Sequence, residues 1–250
     1  MSIDFSVNTF FKFALQYTLV FGIINLSMNS IKENVENLLN SLPESNPFGE
    51  KVTLVAAVKT QTPSAINEAI SSGITDIGDN RVQEFTQKYD EISGSPKRHF
   101  IGRLQSNKIK YLLGKVDLYH SVDRMNLAEE LSAQGAKKGI TSNILLQVNI
   151  GNEPTKGGFK LEELHSAYTT IKAMPALKIK GLMAMLPDSD DTEYLSTLAN
   201  KMRISYDELR SSDNNITVLS MGMSGDFRLC IEAGSNMIRL GTAIFNKRSV

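Results

Sequence analysis

Residues 52–60, VTLVAAVKT, decide the fold. Positions 54–58 are apolar without a break, and unbroken rather than alternating apolar character marks a parallel strand buried on both faces. The run stops at a lysine, Lys59, and helix-start chemistry follows. Thr62 can cap a helix, Pro63 suits its first turn and Gly73 ends it. The same strand–helix unit then recurs. Strands are expected at 53–58, 76–78, 99–101, 118–121, 143–148, 178–183, 217–220 and 237–240. Helices are expected between them at 62–73, 82–92, 106–113, 123–138 (capped by Asp123), 161–174, 193–210 and 224–233, with a short last one after Gly241. One further amphipathic helix at 31–40, with Ile31, Val35, Leu38 and Leu39 on one face, precedes the first strand. Eight repeats in about 200 residues favour a closed barrel over an open doubly wound sheet. No Gly-x-Gly-x-x-Gly follows the first strand, which weakens a dinucleotide-binding alternative. The expected fold is a single α/β domain, a (β/α)8 TIM barrel with an extra N-terminal helix, over residues 28–250.

Bulk properties narrow the function. The 250 residues carry 27 Lys+Arg and 27 Asp+Glu, so the formal net charge is zero. Nucleic-acid binders show a basic excess or stripe, whereas these lysines alternate with acids. The run Lys108, Lys110 and Lys115 reads as the solvated face of a helix. No nucleic-acid partner is expected. A single cysteine, Cys230, excludes an internal disulfide and points to a reducing, cytoplasmic location. Set among Phe227, Leu229, Ile231 and Ala233, it reads as a core residue. The three histidines show no metal-ligand spacing. His99 reads as a core or rim residue, while His120, at the end of the fourth strand, and His165, on an outer helix, are expected to be exposed.

Residues 1–27 do not match the rest. Positions 13–31 carry no charge, yet Asp4 precedes the apolar run and no basic residue comes before Lys12, unlike a signal peptide. The segment has no arginine, unlike a mitochondrial presequence. Met28 is followed by Ser30-Ile31-Lys32-Glu33, a Ser-x-x-Glu capping box. The favoured reading starts translation at Met28. An anchor or a mitochondrial targeting role is the alternative, and membrane association is expected only through this segment.

In a barrel of this kind the site lies at the C-terminal ends of the strands, and the loops after strands seven and eight commonly bind phosphate. Those loops here are Gly222-Met223-Ser224 and Gly241-Thr242, each entering a helix whose N-terminus favours an anion. Strand one neighbours strand eight in a closed barrel, so Lys59 should share their rim. Partial desolvation there would lower its pKa and suit the amine to a Schiff base with an aldehyde. A phosphorylated aldehyde satisfies all three features.

Several segments together resemble the pyridoxal phosphate homeostasis protein family. They are VAAVKT at 55–60, GDNRVQE at 78–84, HFIGRLQSNK at 99–108, SVDR at 121–124, QVNI at 147–150, GLM at 181–183 and LSMGMS at 219–224. The resemblance implies the barrel of the alanine racemase N-terminal type and pyridoxal 5'-phosphate (PLP) as cofactor. It implies that Lys59 forms the internal aldimine and that Ser224, Gly241 and Thr242 bind the phosphate. Asn80 would line the cofactor and Arg239 would lie near the pyridine nitrogen. A guanidinium there disfavours ring protonation and weakens the cofactor as an electron sink. The family usually has Glu at Asp79, Tyr at Arg81, Trp at Arg98 and often His at Arg103. The implied function is PLP homeostasis without catalysis, buffering the cofactor and delivering it to PLP-dependent apoenzymes. The alternative is an amino-acid racemase, which needs a second acid/base opposite the lysine.

Overall fold

Strand β1 (Thr53–Ala57) is buried along its middle because residues on both of its faces meet apolar neighbours, one set inside a barrel and one under helices. The computed structural model describes residues 30–246. The other strands are β2 (Asp76–Asp79), β3 (Lys97–Phe100), β4 (Leu118–Val122), β5 (Ser142–Val148), β6 (Leu177–Ala184), β7 (Val218–Ser220) and β8 (Met237–Leu240). Each pairs in parallel with the next and β8 closes on β1, a closed eight-stranded barrel in chain order. The expected fold class is therefore present. Val55, Leu118, Leu145, Met183 and Met237 form an apolar cluster in the interior. Truncating a fully buried residue such as Leu145 to alanine should cost about 2–5 kcal/mol.

Helices cover the outside. In chain order they are α1 (Ile31–Ser41), α2 (Pro63–Ser71), α3 (Val82–Lys88), α4 (Ile109–Leu112), α5 (Met125–Lys138), α6 (Leu164–Lys172), α7 (Thr192–Ser212), α8 (Phe227–Glu232) and α9 (Thr242–Phe245). Helix α1 buries Val35 and Leu38 in the outer cluster that also holds Ile66 and Ile244. Its Asn34 donates to the carbonyl of Ile244 at 3.0 Å, tying the extra helix to the end of the barrel. Thr62 caps α2 by accepting from the Ala65 amide at 3.3 Å, as expected. Asp123 does not cap α5. Arg124 holds the N-cap position, and the buried Asp123 carboxylate turns to the Arg124 and Arg103 guanidiniums.

Strand β6 carries an irregularity where Ile144 pairs with Ile179 and Leu145 with Gly181. Gly181 has φ +151, and a Cβ there would lie 1.8 Å from the carbonyl oxygen of Val218, so β6 and β7 approach closely only because this residue is glycine. Among the described residues no helix is long and apolar enough to cross a membrane. The expectation for residues 1–27 lies outside the described residues.

Candidate functional site

At the C-terminal rim of the barrel, β1 and β8 run in register, Ala56 opposite Leu240. A Cβ on Gly241 would lie 3.2 Å from the Ala57 carbonyl oxygen, so the glycine lets the two strand ends close up. Lys59 follows Ala57 by two positions, and Gly241-Thr242 follows β8. The loop after β7 joins the same rim, where Thr242 Oγ1 donates to Ser224 Oγ at 2.8 Å. Both hydroxyls are exposed. The helix termini are weaker than expected. Helix α8 begins at Phe227, past Ser224, and α9 spans four residues, so neither carries much of a macrodipole. The amide of Met223 is taken by Asp226 Oδ1 at 2.6 Å. Anion-binding capacity rests on the two hydroxyls and on the amides of Thr242 and Ala243, which have no acceptor within the helix.

Lys59 is exposed, so the desolvation expected of it is not supplied by apolar neighbours. What the protein supplies is a grip on the flanking peptides. The Val58 amide donates to the Gly78 carbonyl at 3.0 Å. The Val58 carbonyl accepts from the buried Lys88 Nζ at 3.2 Å. The Thr60 amide donates to Glu84 Oε2 at 2.7 Å. Thr60 has φ +61, a left-handed conformation that costs a β-branched residue about 1–3 kcal/mol. The Thr60 bond, with Lys88 and Arg81 nearby, holds the Glu84 carboxyl below its usual range. Lys88 Nζ also lies 3.7 Å from Glu84 and 3.6 Å from Asp79 Oδ1. Burial pushes the Asp79 carboxyl up to about 6 despite that lysine, and Oδ1 has no hydrogen-bond partner.

Asn80 follows β2, and its Oδ1 is a buried acceptor without a donor. Gly102 packs against the Asn80 backbone so tightly that a Cβ would lie 2.0 Å from the Asn80 carbonyl oxygen. Arg239, in β8, is buried, and its guanidinium donates to the Ser220 carbonyl at 2.9 Å, Ser220 Oγ at 2.6 Å and the Ala184 carbonyl at 3.0 Å. Burial lowers it to about 10, still charged at neutral pH.

Below Arg239 lies a polar chain that corrects the reading of His120, which is fully buried and not exposed. Ser220 Oγ lies 3.2 Å from His120 Nδ1, His120 Nε2 lies 2.8 Å from His99 Nδ1, and His99 Nε2 lies 2.9 Å from Asp76 Oδ1. Burial, with His99 and Arg239 adjacent, holds His120 well below the usual imidazole range, hence neutral. Burial opposes ionisation of Asp76, but the bonds from His99 and Thr75 outweigh it and keep the carboxyl low. With Asp76 ionised, each donor in turn points from Arg239 down to Asp76. The strand pattern carried a signal for this, since His120 stands between Tyr119 and Ser121 in a strand buried at all five positions. Lys88 was detectable in the same way, three residues after Phe85 on the inner face of α3. Cys230 is buried, as expected. Among the described residues no group of three or more His, Cys, Asp or Glu could hold a metal ion.

A closed parallel barrel with a lysine after β1, hydroxyl-bearing loops after β7 and β8 and a buried arginine in β8 defines a class. The model of the alanine racemase N-terminal domain family matches residues 26–249, and the chain belongs to that family. Alanine racemase of Clostridium difficile 630 superposes with a TM-score of 0.71 at 13% identity over 57% of its own length, which shows the fold alone. Similarity is much nearer to the pyridoxal phosphate homeostasis protein of Aquifex aeolicus, 42% identical over 197 residues, 78% of this chain and 86% of that protein. PipY of Synechococcus elongatus, solved with PLP bound, superposes with a TM-score of 0.77 at 32% identity, covering 86% of this chain and 99% of its own. Within the barrel class, the chain belongs to the pyridoxal phosphate homeostasis protein family.

Proposed function

We propose that this protein binds pyridoxal 5'-phosphate and serves intracellular PLP homeostasis, holding the cofactor and releasing it to PLP-dependent apoenzymes in the cytoplasm. The observation that supports the reading is the shared rim, where the ends of β1 and β8 lie side by side and Thr242 Oγ1 donates to Ser224 Oγ. The residues present fit the cofactor. Asn80 Oδ1 is a buried acceptor left without a donor, as ligand sites leave them. Gly241 leaves the rim between β1 and β8 without a side chain.

When bound, PLP supplies an aldehyde that condenses with an amine with loss of water, and a ring that can withdraw electrons. Lys59 would be the amine. Ser224, Thr242 and the first amides of α9 would hold the phosphate. Arg239 would face the ring nitrogen and, remaining charged, keep a proton off it. That arrangement suits storage better than carbanion chemistry. The racemase alternative has the fold in its favour, and it needs a second acid/base opposite Lys59. Residues 1–27 would be an extension that precedes the PLP-binding domain in sequence, and the family match begins at residue 26.

Titration with PLP, followed by absorbance of the protein-bound cofactor, tests the reading. We expect the bound-cofactor band in the native protein and its loss in Lys59→Ala. Weaker binding with the band retained is expected in Ser224→Ala/Thr242→Val. A band unchanged in Lys59→Ala would remove the assignment.

A further inference from the structure

Lys59 sits in a turn closed by a single backbone bond, from the Gln61 amide to the Val58 carbonyl at 3.2 Å. Its side chain is exposed, and the next residue is a threonine in a conformation natural to glycine. Two side chains from one turn of α3 hold the peptides on either side. Glu84 accepts the Thr60 amide at 2.7 Å, and Lys88 donates to the Val58 carbonyl at 3.2 Å. Spaced i,i+4, they also lie 3.7 Å from each other, so the two contacts brace one another. The Lys88 side chain is 10% exposed and lies 3.6 Å from Asp79 Oδ1, a second carboxylate that keeps the ammonium in place. Arg81 closes the outer side of Glu84 at 3.2 Å.

We propose that Glu84 and Lys88 are positioning residues for Lys59, a bracket that fixes the direction in which its amine leaves the rim. The inference rests on the reading of Lys59 as the attachment point and adds the machinery that aims it. Neither bracket residue belongs to the phosphate loops, so the bracket should govern covalent attachment and leave recognition of ring and phosphate alone. Pyridoxamine phosphate separates the two, because it has the same ring and phosphate but an amine where PLP has its aldehyde.

The experiment compares dissociation constants for PLP and pyridoxamine phosphate in the full chain, with unfolding temperature as the check on folding. We expect Glu84→Ala and Lys88→Met each to weaken PLP at least tenfold and to leave pyridoxamine phosphate within twofold. Lys88→Arg, which can still donate to the Val58 carbonyl and pair with both carboxylates, should recover most of the PLP affinity. Glu84 is partly exposed, so its variant decides the matter even if the Lys88 variants do not fold. PLP affinity unchanged in Glu84→Ala would overturn the proposal, and so would an equal loss for both ligands. If native protein binds PLP with Lys59 unmodified, the attachment reading itself fails, a result the variants cannot mimic.

Discussion

Replacing Asp79 with asparagine should favour the folded state more at neutral pH than in acid. Asp79 is 3% exposed, and its carboxyl is pushed from an ordinary 3.8 up to about 6 because burial outweighs the attraction of Lys88. The folded state therefore binds this proton more tightly than the unfolded chain. Stability rises as pH falls through about 6, and the full cost of the buried charge is present above it. At about 1.36 kcal/mol per tenfold change in proton affinity, that cost is about 3 kcal/mol at pH 7.5. By the same linkage it is about 1 kcal/mol at pH 4.5, so the advantage of Asp79→Asn should grow by about 2 kcal/mol between the two. Effects of the substitution that do not depend on pH cancel in this difference. Urea unfolding at constant ionic strength across that range measures it. A gap that stays constant, or widens toward acid, would refute the reasoning. A native sequence that tolerates such a cost keeps the charge for another purpose, and the carboxylate sits on the lysine that grips the Lys59 turn.

Two further outcomes follow from geometry. Gly102→Ala would put a methyl group 2.0 Å from the Asn80 carbonyl oxygen, so it should displace Asn80 and weaken PLP at least tenfold, read by the same titration. In nitrogen-detected NMR of the imidazole rings, His120 should be neutral with its proton on Nε2 and a bare Nδ1 across the neutral range. A protonated Nδ1 there would reverse the assigned direction of the chain from Arg239 to Asp76.

The barrel was legible because burial on both faces writes itself as unbroken apolar runs, and β8 falls at the expected residues 237–240. Closure follows from the count of strands, and closure alone sets the end of β1, which leads to Lys59, beside the end of β8, which leads to Gly241 and Thr242. Helix ends were less legible. The expected helix at 82–92 gives way after Lys88 to a 3-10 turn at Tyr89–Glu91, and Asp123, a good cap by composition, is drawn instead to two arginines. The contacts of Glu84 and Lys88 with the Lys59 turn were invisible because they join helix α3 to the loop after another strand, and no local pattern encodes that pairing. The burial of His120 had a signal in its strand, but its pairing in the polar chain under Arg239 was hidden for the same reason, being assembled from four different strands.

The most direct measurement is a peptide mass spectrum of the protein loaded with PLP and then reduced with borohydride. The cofactor's mass should appear on the peptide containing Lys59 and vanish from it in Lys59→Ala. Stoichiometric label on any other lysine of the native protein, with Lys59 unmodified, would contradict the claim that this amine and the two loops beside it hold one molecule.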